Sequence, residues 1–181
     1  MKNLYFFIVA IFFLISCGQP SDKTQKVEIE SRYSLDLPDF LTKTSGLNDN
    51  ASLQYQNLTK EFYIIVIDES IEEFNEAIEE NEEYLDYYLP DFAGYSEFVY
   101  DLIIESLYTY ESTEWKELKI NNLNARQIGI NGKISGLDVF YHYTIIEGAK
   151  DYYQVLIWTL KDKMEEHKPY MEQIVNSFKE L

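Results

Sequence analysis

The sequence predicts an α+β fold: an α/β/α sandwich around a central, mainly antiparallel sheet of about six or seven strands. Three observations carry this. Phe62-Tyr63-Ile64-Ile65-Val66-Ile67 and Tyr152 to Leu160 are apolar on both strand faces, so each needs cover on two sides. Short turns join the later strands, and strands so joined run antiparallel. Helical periodicity falls before and after this block of hairpins, which gives each face of the sheet a layer. The 181 residues fit one domain, and 16 Tyr with 11 Phe supply enough apolar surface to fold it.

Each element follows from local pattern. Tyr33, Leu35 and Leu37 alternate with polar neighbours up to Pro38, which marks a strand and a turn. Thr42 to Asn50 reads as loop, and Ser52 to Asn57 as a weak strand before the apolar one at Phe62 to Ile67. Ser70-Ile71-Glu72-Glu73 is a capping box that opens a helix ending before Pro90, with Ile71, Phe74, Ala77 and Ile78 on its apolar face. A second helix, near Asp91 to Leu107, carries Tyr95, Phe98, Val99, Leu102 and Ile103 at helical spacing, with Gly94 weakening its first turn. Leu118 and Ile120 mark a short strand, and Ala125 to Ile130 another, closed by the turn signal Asn131-Gly132. Leu137 to Glu147 pairs through Gly148-Ala149-Lys150 with Tyr152 to Leu160. Pro169 suits the first turn of a last helix striped by Met171, Ile174, Val175 and Phe178.

At the N-terminus Lys2 precedes an uncharged apolar run, Leu4 to Ile15. Its length is short of the ~20 residues of a spanning helix and fits the hydrophobic part of a signal peptide. Leu14-Ile15-Ser16-Cys17-Gly18 follows, and it resembles the lipobox of bacterial lipoproteins. The resemblance implies a signal peptide at 1–16, cut between Ser16 and Cys17. It also implies that Cys17 is joined to diacylglycerol through a thioether and acylated at its new amino group by a fatty acid such as palmitate. Cysteine suits the task because its thiolate is a strong nucleophile, and two or three acyl chains hold a protein on a bilayer where one does not. Cys17 is the only cysteine, so there is neither an internal disulfide nor a Cys-rich zinc site. Residues 17–31 then form the lipidated Cys with a polar linker, in which Gly18 to about Glu30 includes Pro20, and residues 32–181 form the domain. Gly18 in place of Asp resembles lipoproteins sent to an outer membrane, and Gly18 to Lys23 lacks the dense acidic run that resembles a surface-export tag in some bacterial groups, which implies the periplasmic face of that membrane.

Lys and Arg number 15 against 32 Asp and Glu, a net charge of −17. Such a chain lacks the clustered bases that nucleic acid binding needs. The opening Tyr33-Ser34-Leu35-Asp36-Leu37-Pro38, the segment from Ala125 through Gly132, Tyr141 and Tyr152-Tyr153, and the closing Ile174-Val175-Asn176-Ser177-Phe178 resemble PsbP/Mog-like domains. That resemblance covers Tyr33 to Leu181. It implies a non-catalytic accessory or assembly factor of a larger complex, and no motif carries a family binding residue over to this chain.

The chemistry-bearing residues agree with an absence of catalysis. The face Glu72, Glu73, Glu76, Glu79, Glu80, Glu82 and Glu83 diverges where a Ca²⁺ site converges, so it reads as solvated, with diffuse cation attraction or docking to a basic partner as its functional alternatives. Glu111, Glu114 and Glu117 would serve a hydrolase only if two faced each other across a cleft. His142 reads as a satisfied or half-exposed strand residue and His167 as the start of the last helix, without metal-ligand spacing. There is neither a Gly-x-Ser-x-Gly nor a Gly-x-x-x-x-Gly-Lys motif. The tyrosines at 84, 87, 88, 95, 100, 108 and 110 read first as sheet cover and second as partner surface. The sequence thus points to a lipid-anchored envelope protein, anchored through Cys17, that has no catalytic or metal residues and no cofactor and binds a protein partner. Two alternatives stay open: a small-molecule or cation binder with a pocket between sheet and Tyr-rich helices, and a carboxylate-dependent hydrolase.

Overall fold

A computed structural model describes residues 23–181; residues 1–16, expected to be a signal peptide, and Cys17 lie outside the described residues. In chain order the strands are β1 (Thr24–Ile29), β2 (Tyr33–Pro38), β3 (Thr42–Lys43), β4 (Leu53–Asn57), β5 (Phe62–Ser70), β6 (Thr109–Ser112), β7 (Lys116–Ile120), β8 (Leu123–Ile134), β9 (Leu137–Glu147), β10 (Asp151–Leu160) and β11 (Lys179–Glu180). The helices are α1 (Ile71–Glu79), α2 (Glu82–Leu85), α3 (Phe92–Glu105) and α4 (Met164–Ser177). The main sheet runs β3-β4-β5-β10-β9-β8-β6, and β7 shares the β8 edge with β6. A small sheet, β1-β2-β11, packs with α4 on one side. Every pairing in both sheets is antiparallel.

The period-two register sends alternate residues to two cores. Phe62, Ile64 and Val66 of β5 and Val155 and Ile157 of β10 meet Leu35 and Leu37 of β2 and Met171 and Ile174 of α4. On the other face Tyr141, Tyr143 and Ile145 of β9 and Tyr152 of β10 meet Tyr95 and Val99 of α3 and Phe74 of α1. This is the α/β/α sandwich expected, seven strands across.

Four local readings change. The polar stretch expected to link lipid and domain contains β1, whose Val27 and Ile29 pack on the core beside β2. The helix expected from Ser70 to Pro90 breaks at Glu80. Asn81 accepts from the Glu83 N–H at 3.1 Å and restarts the chain as the short α2. Asn131-Gly132 lies inside β8, and the turn falls at Ser135-Gly136, with φ of 50° and 85°. Gly132 is there for packing, since a Cβ would stand 2.7 Å from Leu107 Cδ1. Pro169 sits in the interior of α4 and not in its first turn, because the helix begins at Met164, far enough upstream to bury His167.

Candidate functional site

From Glu61 to Trp115 the chain carries 17 acidic residues and no Lys, Arg or His. Less than a third of the length thus holds more than half the acids, and it supplies all of α1, α2 and α3. Outside bases reach this stretch at three carboxylates: Lys163 pairs with Glu61 at 2.7 Å and Arg32 with Asp68 near its start, and Arg126 with Glu97 of α3 at 3.1 Å. Among the described residues no ion pair reaches α1 or α2. The field over α1 and α2 is therefore negative, with Arg126 on Glu97 the base that reaches α3.

The same layer exposes apolar side chains. After α2 the chain crosses α3 as a strap, residues 86–91, leaving Tyr87 76%, Leu89 61% and Leu102 of α3 53% exposed. Tyr84 and Leu85 stand beside them, also exposed. Tyr88 is tied down instead, donating to Asp101 Oδ2 at 2.8 Å, and its hydroxyl pKa is pushed up to about 12 by burial and by that carboxylate. Gly94, in the first turn of α3, allows the strap to lie close, for a Cβ there would meet the Leu89 backbone, 2.6 Å from its nitrogen. Asp91 Oδ1 accepts from the Gly94 N–H at 2.8 Å and fixes where α3 begins. So the tyrosines expected as sheet cover divide. Tyr95 is core, while Tyr84, Tyr87, Tyr108 and Tyr110 are surface.

Beneath this layer lies a polar cluster. Tyr95 donates to Glu69 Oε2 at 2.5 Å, and Gln154 Nε2 donates to the same oxygen at 2.8 Å. Tyr143 donates to Gln154 Oε1. Burial and the Glu69 charge raise the pKa of both phenols well above the usual tyrosine range, so they act as neutral donors. Glu69 borders two clefts. One, ≈ 280 Å³, opens between α3 and the loop bearing Asn48 and Asn50. The other, ≈ 360 Å³, opens between α1 and α3 against Phe74, Tyr84 and Phe98.

Glu111 and Glu117 stand too far apart to work as a facing pair. Glu111 stands opposite Asn131 and Glu117 opposite Arg126, five positions apart along β8, or ~17 Å at ~3.4 Å per residue. Glu117 also pairs with Arg126 at 2.8 Å. Glycosidase carboxylates sit within ~10 Å of each other. His142, expected to be satisfied or half-exposed, is 5% exposed and its Nδ1 has no partner among the described residues. Burial, with Lys168 and Lys116 nearby, lowers its pKa to about 4. His167 is buried on the same face, with Nδ1 2.8 Å from Thr159 Oγ1. Among the described residues no group of three or more His, Cys, Asp or Glu is placed to hold a metal. No described helix is long and apolar enough to cross a membrane.

No family model matches the chain, and no curated protein matches it by sequence. Solved structures do. Cyanobacterial PsbP (CyanoP) from Synechocystis superposes with a TM-score of 0.61 at 9% identity, covering 92% of this chain and 96% of that one. LpqN of Mycobacterium tuberculosis, described as involved in cell envelope biogenesis, gives 0.54 at 12% identity, covering 87% and 90%. At these identities the likeness is one of fold, and the chain has the PsbP-like α/β/α sandwich with a central antiparallel sheet.

Proposed function

We propose that this protein is a non-catalytic accessory factor of the bacterial cell envelope, held on a membrane by lipid on Cys17, that docks a basic protein partner on the α1–α3 layer. The observation that carries this is the coincidence, on one layer, of unneutralised carboxylates with exposed Tyr84, Leu85, Tyr87, Leu89 and Leu102. Apolar anchors within a charged surround are the anatomy of a protein interface, where tyrosine is enriched. The negative field steers a basic partner in and turns away both anionic lipid and a second copy of this chain. The fold likeness to CyanoP and LpqN is consistent with the reading. The anchor rests on the lipobox-like Leu14 to Gly18, the outer membrane on Gly18 after the cysteine, and the periplasmic side on the lack of a dense acidic run from Gly18 to Lys23.

Two measurements test it. Intact mass of the processed protein should show the acyl additions at Cys17, and Cys17→Ser should move the protein out of the membrane fraction; a membrane-bound, unmodified Ser variant refutes the anchor. Purification from detergent-solubilised membranes should recover a stoichiometric partner with a basic surface that is released by salt. Recovery of the protein alone at low salt refutes the docking role.

A further inference from the structure

The geometry points to a binding site for a small organic cation, of the methylated-ammonium class, in the cleft between α1 and α3. This goes beyond the protein-docking reading and does not depend on it.

The cleft has a volume of ≈ 360 Å³, enough for a small molecule. Its walls are aromatic and aliphatic: Phe74, Ala77 and Ile78 of α1, Tyr84 of α2 and Phe98 of α3. The three rings form a set, with Phe98 5.8 Å from Phe74 and 6.0 Å from Tyr84, centroid to centroid. The rings are inclined to one another by 52° and 61° rather than stacked face to face. An aromatic face carries partial negative charge and attracts a cation set over it, and several inclined faces together hold a methylated ammonium.

Carboxylates line the same cleft: Asp68, Glu69 and Glu73. Asp68 is taken by Arg32, whereas no ion pair neutralises Glu69 or Glu73 among the described residues. Glu69 is preorganised, because Tyr95 and Gln154 both hold its Oε2. Glu73 is fixed at the start of α1, where Ser70 Oγ accepts from its N–H at 3.3 Å.

The other ligand classes fit less well. An anion meets carboxylates with no base beside them. A neutral apolar molecule gains nothing from two charges at its edge. A hard metal ion wants six to eight converging oxygens, and no group of metal-ligating side chains is assembled among the described residues. What remains is a cation with an apolar skin, which is weakly hydrated and so loses little on leaving water. A free cation suits the cleft better than a lipid headgroup, since the phosphate attached to the latter would face the acids of α1.

The test uses nuclear magnetic resonance of the aromatic side chains in the whole domain, titrated with choline. Its neutral carbon isostere, 3,3-dimethylbutan-1-ol, separates charge from shape, and sodium chloride at matched ionic strength separates binding from screening. Choline should shift Phe74, Tyr84 and Phe98 saturably, with the alcohol and phosphocholine each about tenfold weaker or more. Glu69→Gln, Glu73→Gln and Tyr84→Leu should each weaken choline by roughly five- to tenfold with the fold unchanged, as read from the undisturbed resonances of the α4 face. Equal binding of choline and the alcohol, shifts reproduced by sodium chloride, or full affinity in the Gln variants would overturn the proposal. Loss of the protein partner with choline binding retained would leave this site standing and sink the docking role, and the reverse result would do the opposite.

Discussion

Gly94→Ala reverses the sign that helix propensity alone assigns. Alanine in place of glycine in an exposed helix stabilises it by up to ~1 kcal/mol. In this protein the added Cβ would collide with the Leu89 carbonyl oxygen and stand 2.6 Å from Leu89 N and 2.8 Å from its carbonyl carbon. All three atoms are backbone, so no side-chain rotation relieves the clash, and the strap must lift by ~1.5 Å to reach ordinary contact near ~3.5 Å. Overpacking of this kind costs about 1–3 kcal/mol, and displacing Asp91 from the Gly94 N–H forfeits about 1 kcal/mol of capping. Offset by the propensity gain, the net loss is about 2 kcal/mol. Urea unfolding should show that loss with an unchanged slope, and Tm should fall by about 4–8 °C. Faster proteolysis between Asp86 and Leu89 should accompany it. A variant as stable as the parent, or more so, would mean that the strap does not lie on α3, and the exposed set at Tyr87 and Leu89 would lose its platform.

Other substitutions test other parts. His142 has a pKa of about 4 against 6.5 for the free side chain, so below pH 6.5 the unfolded chain takes up a proton that the folded one refuses. Its neutral state thus adds nothing to stability above pH 6.5 and costs about 3 kcal/mol by pH 4; His142→Leu should flatten the fall in unfolding free energy over that window relative to the parent, and an unaltered pH profile would contradict the burial. Tyr143→Phe deletes the donor to Gln154 Oε1 and should cost about 1 kcal/mol in urea unfolding, a neutral result excluding the buried cluster. Glu180→Ala removes the acceptor that holds Ala149 N at 2.9 Å and Tyr153 OH at 3.2 Å. It should lower stability by about 1–2 kcal/mol and speed amide exchange at the β9–β10 turn. No change at Ala149 would show that β11 is not seated there.

The main sheet was legible because β5, β9 and β10 announce themselves by apolar runs and short turns. β6 and β11 were not, since four- and two-residue strands carry too little pattern to stand out from loop. Asn131-Gly132 misled because the dipeptide favours a tight turn, whereas here Gly132 makes room for Leu107. β1 was hidden by its polar alternation: Gln25, Val27 and Ile29 turn inward while Lys26 and Glu28 face solvent. At the candidate site the Glu-rich helix face was visible, but the larger signal went unread. It is the run without a base from Glu61 to Trp115, which counting alone would have found. The cleft between α1 and α3 could not be seen, because it exists only where the chain breaks at Asn81 and returns Tyr84 towards Phe98.

The most direct test of the docking face is site-specific photocrosslinking in intact membranes, with the probe at Tyr87 on the α1–α3 side and, separately, at Glu172 on the exposed side of α4. The expected result is one dominant adduct from position 87 with a basic polypeptide, weakened by salt, lost when Glu72, Glu76, Glu79 and Glu83 are changed to Lys, and absent from position 172. Equal adducts from both positions, or an adduct at 87 that survives the charge reversal, would contradict it.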